Sequence, residues 1–445
     1  MITHHGKKFI KYYPQHMILL SLISFTILGT LLLALPAARV KDIPLLDLFF
    51  TSASLTTVTG MMTVPMDSFS NLGHIIILCL MQIGGLGLMT LSLLFMYTFT
   101  NLGVYTQVVA SEVLSIKSFK DTKNILFFML KMTIILEAIG AAIIFPTLCK
   151  TYSIKRALFL SVFHAVSSFC NAGFSLFPQE ITTFIDHPFI MFTTTVLMTM
   201  GGLGFVTWHE VLMKVKKDSQ YKGMSWHTKL VFKIYGATTL CSALLFWMLE
   251  RHNTLANFPL FKKIYIIAFA AISMKSTGFE VLPITAVHLA TLVLAMVTMF
   301  IGSAPLSTGS GIKTSVFAIY LGVIRAAVLG KRHAVLFGRH IIDEQVYKAM
   351  AVIALSLSWI LITTFCLLIT EPNYHFIDIL FEAVSAFTNN GLSTHITIYI
   401  SSIGKIFIMA TMIIGRVGAL ALVMSMKRFI DTHEISYPKE RIIMG

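Results

Sequence analysis

The 445-residue sequence predicts an all-α polytopic membrane protein built from four repeated units, and three observations predict it. Hydrophobic residues make up 56% of the chain and charged residues only 12%, about half the charged share of an ordinary soluble domain. Uncharged runs at Met17–Leu35, His187–Trp208, Leu282–Ile312 and Ala349–Thr370 each approach or exceed the roughly 20 residues that a spanning helix needs. Four short segments ending in glycine also recur at nearly even spacing.

The composition excludes a soluble core, so the formal net charge of +14 has to be explained by where the charges fall. Of the 34 Lys and Arg, 22 lie in five clusters: Lys7, Lys8 and Lys11; residues 117–131; residues 214–233; residues 325–348; and Lys427, Arg428, Lys439 and Arg441. The positive-inside rule puts these segments, and with them both termini, in the cytoplasm. A nucleic-acid surface would need a soluble basic face, and no connecting segment is long enough to form one. Cys79, Cys149, Cys170, Cys241 and Cys366 sit in or beside apolar segments without CxxC spacing, which indicates neither a disulfide framework nor a zinc site. The basic N-terminus followed by Met17–Leu35 and Ala37-Ala38 has the order of a cleaved signal peptide. Its apolar run is too long for a typical h-region and belongs to the first repeat.

The repeat is read from Thr57-Val58-Thr59-Gly60, Cys170-Asn171-Ala172-Gly173, Lys275-Ser276-Thr277-Gly278 and Thr388-Asn389-Asn390-Gly391. These glycines stand 113, 105 and 113 residues apart, and Pro follows by five at Pro65, Pro178 and Pro283, with Ile396 in the fourth copy. A second register runs beside the first: Gly84, Gly302 and Gly415 follow their segment's glycine by 24, and Gly201 by 28. Two registers kept together mark an internal repeat. The units are 1–99, 117–215, 228–328 with a broken last helix, and 345–428, followed by a cytoplasmic tail at 429–445.

Within each unit the order is apolar helix, shorter amphipathic segment, glycine turn, apolar helix; in the first these are residues 17–35, 44–56, 57–61 and 71–97. A segment of 10–14 residues is too short to span and reads as a re-entrant helix. Irregular backbone at membrane depth must be surrounded by protein or line a watery cavity, so four such turns converge on one cavity. The expected architecture is four helix, pore-loop, helix units around a central pore, with eight spanning helices plus four re-entrant pore helices.

A re-entrant helix ending near the bilayer centre points its C-terminal carbonyls at that cavity, where the macrodipole favours a cation. The glycine after each helix can take conformations that aim successive carbonyls inward, and rings of carbonyls can replace an ion's hydration shell. Any one turn alone reads as a helix cap or a packing glycine; fourfold recurrence favours a filter. Neither Asp nor Glu occurs among the twelve residues preceding the four glycines, which argues for a carbonyl filter over an acidic ring. Lys275 departs from this pattern and should point away from the ion path; the plainer reading is a snorkelling lysine at the outer mouth.

The third unit's last apolar stretch is about twice one span and is interrupted by Gly302-Ser303-Ala304-Pro305-Leu306-Ser307-Thr308-Gly309-Ser310-Gly311-Ile312-Lys313, a helix-breaking composition. It reads either as a packing kink or as a loop just below the filter. A phosphate-binding loop is disfavoured because Gly and Lys are not adjacent and no strand precedes it. Arg416, in Gly415-Arg416-Val417-Gly418, is the only charge between Lys405 and Lys427. An ionisable residue within a span is a functional candidate, with an ion pair to Glu382 or another buried acid as the structural alternative.

Four such units in one chain resemble the superfamily of K+ transporters that includes bacterial Trk and Ktr and plant HKT proteins, and the compact length is most similar to the membrane (B) subunit of the bacterial Ktr system. The resemblance implies that each unit gives one filter strand, that Gly60, Gly173, Gly278 and Gly391 suit K+, and that the 302–313 loop and Arg416 form an intramembrane gate. Some plant relatives with serine in the first position favour Na+; this chain has Gly60. Also implied are a homodimer in the bacterial plasma membrane and a cytosolic ring of nucleotide-binding regulatory subunits of the Ktr A type, which would carry ATP or ADP. No covalent cofactor or nucleic-acid partner is expected; K+ is the transported ion, with Na+ as an activator or coupling ion, and membrane lipid surrounds the chain. An alternating-access secondary cation transporter is the alternative, since repeat-built membrane proteins often work that way. A membrane enzyme is disfavoured, because no HExxH, nucleophile elbow or paired carboxylates stand inside the spans.

Overall fold

The computed structural model describes residues 14–87, 119–177, 185–216 and 223–418, with side chains placed from residue 19 in the first block and from residue 127 in the second. Lys7, Lys8 and Lys11, Pro178, and the tail from residue 419, which includes Lys427 and Arg428, lie outside the described residues.

One order of helices recurs along the chain. A long helix, a short one and a third follow as α1 (Pro14–Leu33), α2 (Leu45–Thr57) and α3 (Asn71–Gly85). The second set is α4 (Phe119–Leu148), α5 (Ile154–Phe169) and α6 (Pro188–Gly202), continued by α7 (Phe205–Val215). The third is α8 (Trp226–Glu250), α9 (Leu260–Ser276) and α10 (Leu289–Phe300), continued beyond the 302–313 loop by α11 (Thr314–Val328). The fourth is α12 (Asp343–Thr370), α13 (Phe376–Thr388) and α14 (Ser402–Val417). A two-stranded antiparallel hairpin, β1 (Val335–Leu336) and β2 (Arg339–His340), joins α11 to α12.

Length sorts these helices. α2 and α13 have 13 residues each, about 20 Å at 1.5 Å per residue, which falls short of a hydrocarbon core of roughly 30 Å. Among the described residues, Phe127–Leu148, Trp226–Glu250 and Asp343–Thr370 are long and apolar enough to cross a membrane on their own. Their outward faces carry exposed Ile143, Leu240, Leu361 and Phe365; so much exposed apolar surface suits lipid rather than water.

The last helices of the first, second and fourth units each reach a glycine of positive φ within the described residues. The uncharged run His187–Trp208 is bent by 99° between α6 and α7, with Gly204 at φ +87° in the break. Of the first unit's helix, expected over 71–97, Asn71–Gly85 is helical and Gly87 follows at φ +82°; residues 88–97 lie outside the described residues. The fourth ends at Val417, before Gly418 at φ +92°.

Packing closes the four sets into a ring. α3 packs on α5, α6 on α9, α10 on α13, and α14 back on α2, so each unit's last helix wedges against the next unit's short helix. Buried acids brace two of these last helices: Glu250 accepts from the His288 backbone N–H at 2.9 Å, ahead of α10, and Glu371 accepts from the Ser401 N–H at 2.9 Å, ahead of α14. An acidic group is favoured at a helix N-terminus, where the amides have no partner within the helix.

Candidate functional site

The four glycines of the sequence repeat meet at the centre of this ring, and each fits the next through its missing side chain. A Cβ on Gly60 would stand 2.7 Å from the Ala172 carbonyl oxygen. Gly173 is set against the Thr277 carbonyl oxygen, Gly278 against that of Asn390, and Gly391 against that of Thr59. Each contact joins a glycine to the residue before the next unit's glycine, and the fourth closes on the first. All four glycines have positive φ, +97°, +73°, +72° and +95° in chain order, the region that glycine enters without the usual penalty.

Local geometry delivers the backbone to this point. α2, α5, α9 and α13 all end within four residues of their glycine, so four helix C-termini, the negative ends of their dipoles, converge. Val58, Asn171 and Asn389, two residues before their glycines, are left-handed at φ +56°, +56° and +47°. For β-branched Val58 that conformation is an outlier and costs on the order of 1–3 kcal/mol, held in place by complete burial. The third unit has no left-handed residue here, because α9 runs on through Ser276.

Side chains then tie each turn down. Asn171 Oδ1 accepts from Thr277 Oγ1 at 2.5 Å and from Ser276 Oγ at 3.1 Å in the next unit. Asn389 Nδ2 donates to Thr59 Oγ1 at 2.8 Å, again across a unit boundary, and to the Met412 carbonyl at 2.9 Å. Asn390 Nδ2 donates to the Ser273 and Met274 carbonyls, both at 3.1 Å. Thr57 and Thr59 share a hydroxyl contact of 2.7 Å, Thr388 Oγ1 donates to Val384 O at 2.8 Å, and Cys170 Sγ lies 3.7 Å from Glu137 Oε1.

Lys275 does not reach the outer mouth. It is 1% exposed, and its ammonium turns outward to α8, donating to Tyr235 O at 3.2 Å and Thr238 Oγ1 at 2.5 Å while standing 3.8 Å from the Tyr235 ring centroid. Carbonyl, hydroxyl and aromatic face together take the place of a counter-ion, and the charge leaves the central axis.

Behind the glycine ring lies the 302–313 loop. Its base is pinched shut: Ser303 N–H donates to Ser310 O at 3.1 Å, Ile312 N–H to Phe300 O at 3.1 Å, and Gly302 faces Gly311, whose Cβ would fall 2.8 Å from the Gly302 Cα. Its outer arm is hung on the second unit's break, with Ala304 N–H on Gly202 O at 3.0 Å, Thr308 N–H on Gly201 O at 3.1 Å, and Leu306 O accepting from Phe205 N–H at 2.9 Å. Pro305 O lies 2.5 Å from where a Gly204 Cβ would be. Ser307 Oγ donates to Ala304 O at 2.6 Å, Lys313 Nζ to Gly309 O at 2.7 Å, and Thr308 Oγ1 accepts from Asn171 Nδ2 at 2.7 Å. The loop therefore touches the turn segments directly.

Arg416 clasps this loop from the fourth unit. Its guanidinium donates to Thr308 O at 3.1 Å, to Ser310 Oγ at 2.7 Å and to Gly84 O of the first unit. The alternative ion pair with Glu382 is not formed: that carboxylate accepts from Ser393, Thr394 and Thr397. Two cavities flank the assembly. One of about 650 Å³ opens over Gly60, Gly173, Gly278 and Gly391, and another of about 420 Å³ is lined by Ser310, Lys313 and Arg416.

Two sets of residues escaped the sequence reading. Ser54, Ser167, Ser273 and Ser385, in the last turns of the short helices, each hydrogen-bond the turn they precede: Ser54 and Ser385 Oγ accept from Gly60 and Gly391 N–H at 3.2 and 3.1 Å, and Ser167 and Ser273 Oγ donate to Phe174 and Phe279 O at 2.7 and 2.6 Å. A serine six residues before the glycine in three copies and five in the other was the available signal. The second set is Gly87 and Gly204, which, like Gly418 and Pro305 in the other two copies, stand three residues after the second-register glycine; in the first, second and fourth units this Gly-x-x-Gly spacing marks where the described helix ends or bends.

Comparison with known proteins places the chain in a family. The family model described as "TrkH: Cation transport protein" matches residues 15–433. The chain is 33% identical to the Ktr system potassium uptake protein B of Bacillus subtilis, over 98% of each chain. It is 32% identical to the protein of the same name from Vibrio alginolyticus, over 96% of this chain and 94% of that one. In fold it is similar to the crystal structure of the potassium transporter TrkH from Vibrio parahaemolyticus, with a TM-score of 0.74 at 16% identity, over 94% of this chain and 86% of that one. With a match spanning nearly the whole chain, the protein belongs to the TrkH family of cation transport proteins.

Proposed function

We propose that the chain is the ion-translocating subunit of a potassium-uptake system, in which K+ crosses a filter made by Thr57–Gly60, Cys170–Gly173, Lys275–Gly278 and Thr388–Gly391 and leaves past a movable loop at 302–313. The observation that carries this reading is the closed ring of glycines, each seated on the next unit's carbonyl. Four short helices aim their negative ends at that ring, no carboxylate stands in the turns, and backbone carbonyls remain to replace water around a desolvated cation. Lys275, turned away to α8, adds no repulsion on the axis. Arg416 and the loop below would act together as the gate, the arginine holding the loop closed and its charge opposing cation exit.

Eight spanning helices, four re-entrant helices and cytoplasmic termini complete the proposed topology. Potassium-uptake relatives match over almost their full length, which supports transport rather than catalysis. The name "protein B" in those relatives supports a multi-subunit system, with a homodimer of this chain on a nucleotide-binding regulatory ring. Potassium uptake by cells lacking their own K+ transport, measured with and without external Na+, tests the proposal. Uptake is expected; no movement of K+ under either condition overturns it, and equal uptake without Na+ removes Na+ as activator or coupling ion.

A further inference from the structure

Between α11 and α12, away from the central ring, the hairpin brings three metal-ligating side chains together. His333, His340 and Asp343 each offer a donor atom, and those atoms all lie within 4.8 Å of one another. Asp343 Oδ1 is 3.5 Å from His333 Nδ1 and 4.0 Å from His340 Nε2, and the two imidazoles stand edge to face with centroids 4.5 Å apart.

The backbone explains the convergence. Phe337 and Gly338 both have positive φ, +45° and +77°, the signature of a tight two-residue hairpin turn. The ladder pairs Val335 with His340, and Ile341 N–H continues it onto Ala334 O at 3.0 Å. His333 is therefore the diagonal neighbour of His340 on one face, since alternate strand residues share a face. Asp343, the first residue of α12, comes round to meet them. The hairpin's other face is anchored, with Ala334, Leu336 and Ile341 buried against Leu230 and Ile234 of α8 and Ala318 of α11. Lys233 Nζ lies 4.4 Å from the Phe337 ring centroid. Donors on so fixed a base are presented together before any ion arrives.

We propose that His333, His340 and Asp343 bind a divalent transition-metal ion of the zinc type on the connection between the third and fourth units. Bond lengths of about 2.0–2.1 Å in a tetrahedral site require donors about 3.3 Å apart, so the present separations close by small rotations of exposed side chains. Two imidazoles with one carboxylate suit zinc-like ions and are a poor set for Ca2+ or Mg2+, which prefer oxygen. Three protein ligands leave the fourth position to water. The ion would staple the hairpin to the start of α12, fixing the connection at the far end of α11, the helix that leaves the 302–313 loop.

The test uses the full chain in detergent on an affinity tag without histidine, stripped with chelator and titrated with Zn2+ by calorimetry. One equivalent per chain should bind to the parent protein and be missing from His333→Gln/His340→Gln, while Asp343→Asn should weaken that equivalent at least about tenfold. His4→Gln/His5→Gln should keep it. These three side chains are at least half exposed, so the variants are expected to melt like the parent without zinc. A Zn2+-induced rise in melting temperature, present in the parent and absent in the double variant, is the second readout. An isotherm of the double variant that matches the parent's, or a parent that takes up no zinc, overturns the proposal.

Discussion

At Gly60 a hydroxymethyl group would have to be carried at φ +97° with its Cβ 2.7 Å from the Ala172 carbonyl. Gly60→Ser should therefore displace the neighbouring strand and loosen ion selection, with the K+/Na+ flux ratio falling at least about tenfold, or about 1.4 kcal/mol of discrimination. Paired K+ and Na+ flux assays measure it, and a variant that still excludes Na+ would refute the filter assignment. For Arg416 the expected effect is the opposite. Its three acceptors lie on two other units, so Arg416→Gln should free the loop and raise K+ flux; unchanged flux would show that the clasp does not limit passage. Its standing as the only charge between Lys405 and Lys427 marked Arg416 in the sequence, but not the address of its partners, which stand 106 to 332 residues away along the chain.

Among the elements, the repeated glycines were legible because positive φ is recorded in sequence as glycine. Ser54, Ser167, Ser273 and Ser385 were less so, since α9 runs one residue further and shifts the third serine out of register. The 99° bend in the second unit was missed because His187–Trp208 is uniformly uncharged, and apolar length masks a break that only Gly201-Gly202-Leu203-Gly204 records. Nothing local could reveal that this break exists to receive the third unit's loop. Shortening residues 304–312 should raise basal flux by removing the obstruction, and unchanged flux would dismiss the loop as a gate. Glu250 offers a purely structural test: it is fully buried and holds the His288 N–H and the Thr254 and Thr291 hydroxyls. Glu250→Ala strands those donors and should destabilise the fold by about 1–3 kcal/mol, read as a lower melting temperature in detergent.

Across the whole molecule, near-fourfold symmetry makes the centre, and the departures from it set the third and fourth units apart: a short helix, α9, that runs one residue closer to its glycine, a 302–313 loop between α10 and α11, and an arginine in the fourth unit without counterparts at the matching positions of the others. Light scattering on the purified chain should report a dimer of the 49.5 kDa protomer, and a monomeric species that transports K+ at full rate would remove the dimer from the proposal. The glycine ring carries a further consequence for how such a chain can be assembled. Because the first unit's turn leans on the second, the second on the third, the third on the fourth and the fourth on the first, the contact pattern has a direction of travel but no starting point. Cyclic order is what the ring requires, and the place where the polypeptide happens to be cut is immaterial to it. A circularly permuted chain joined in the order two, three, four, one would keep every glycine beside its proper neighbour, whereas exchanging two adjacent units would set three of the four against the wrong one.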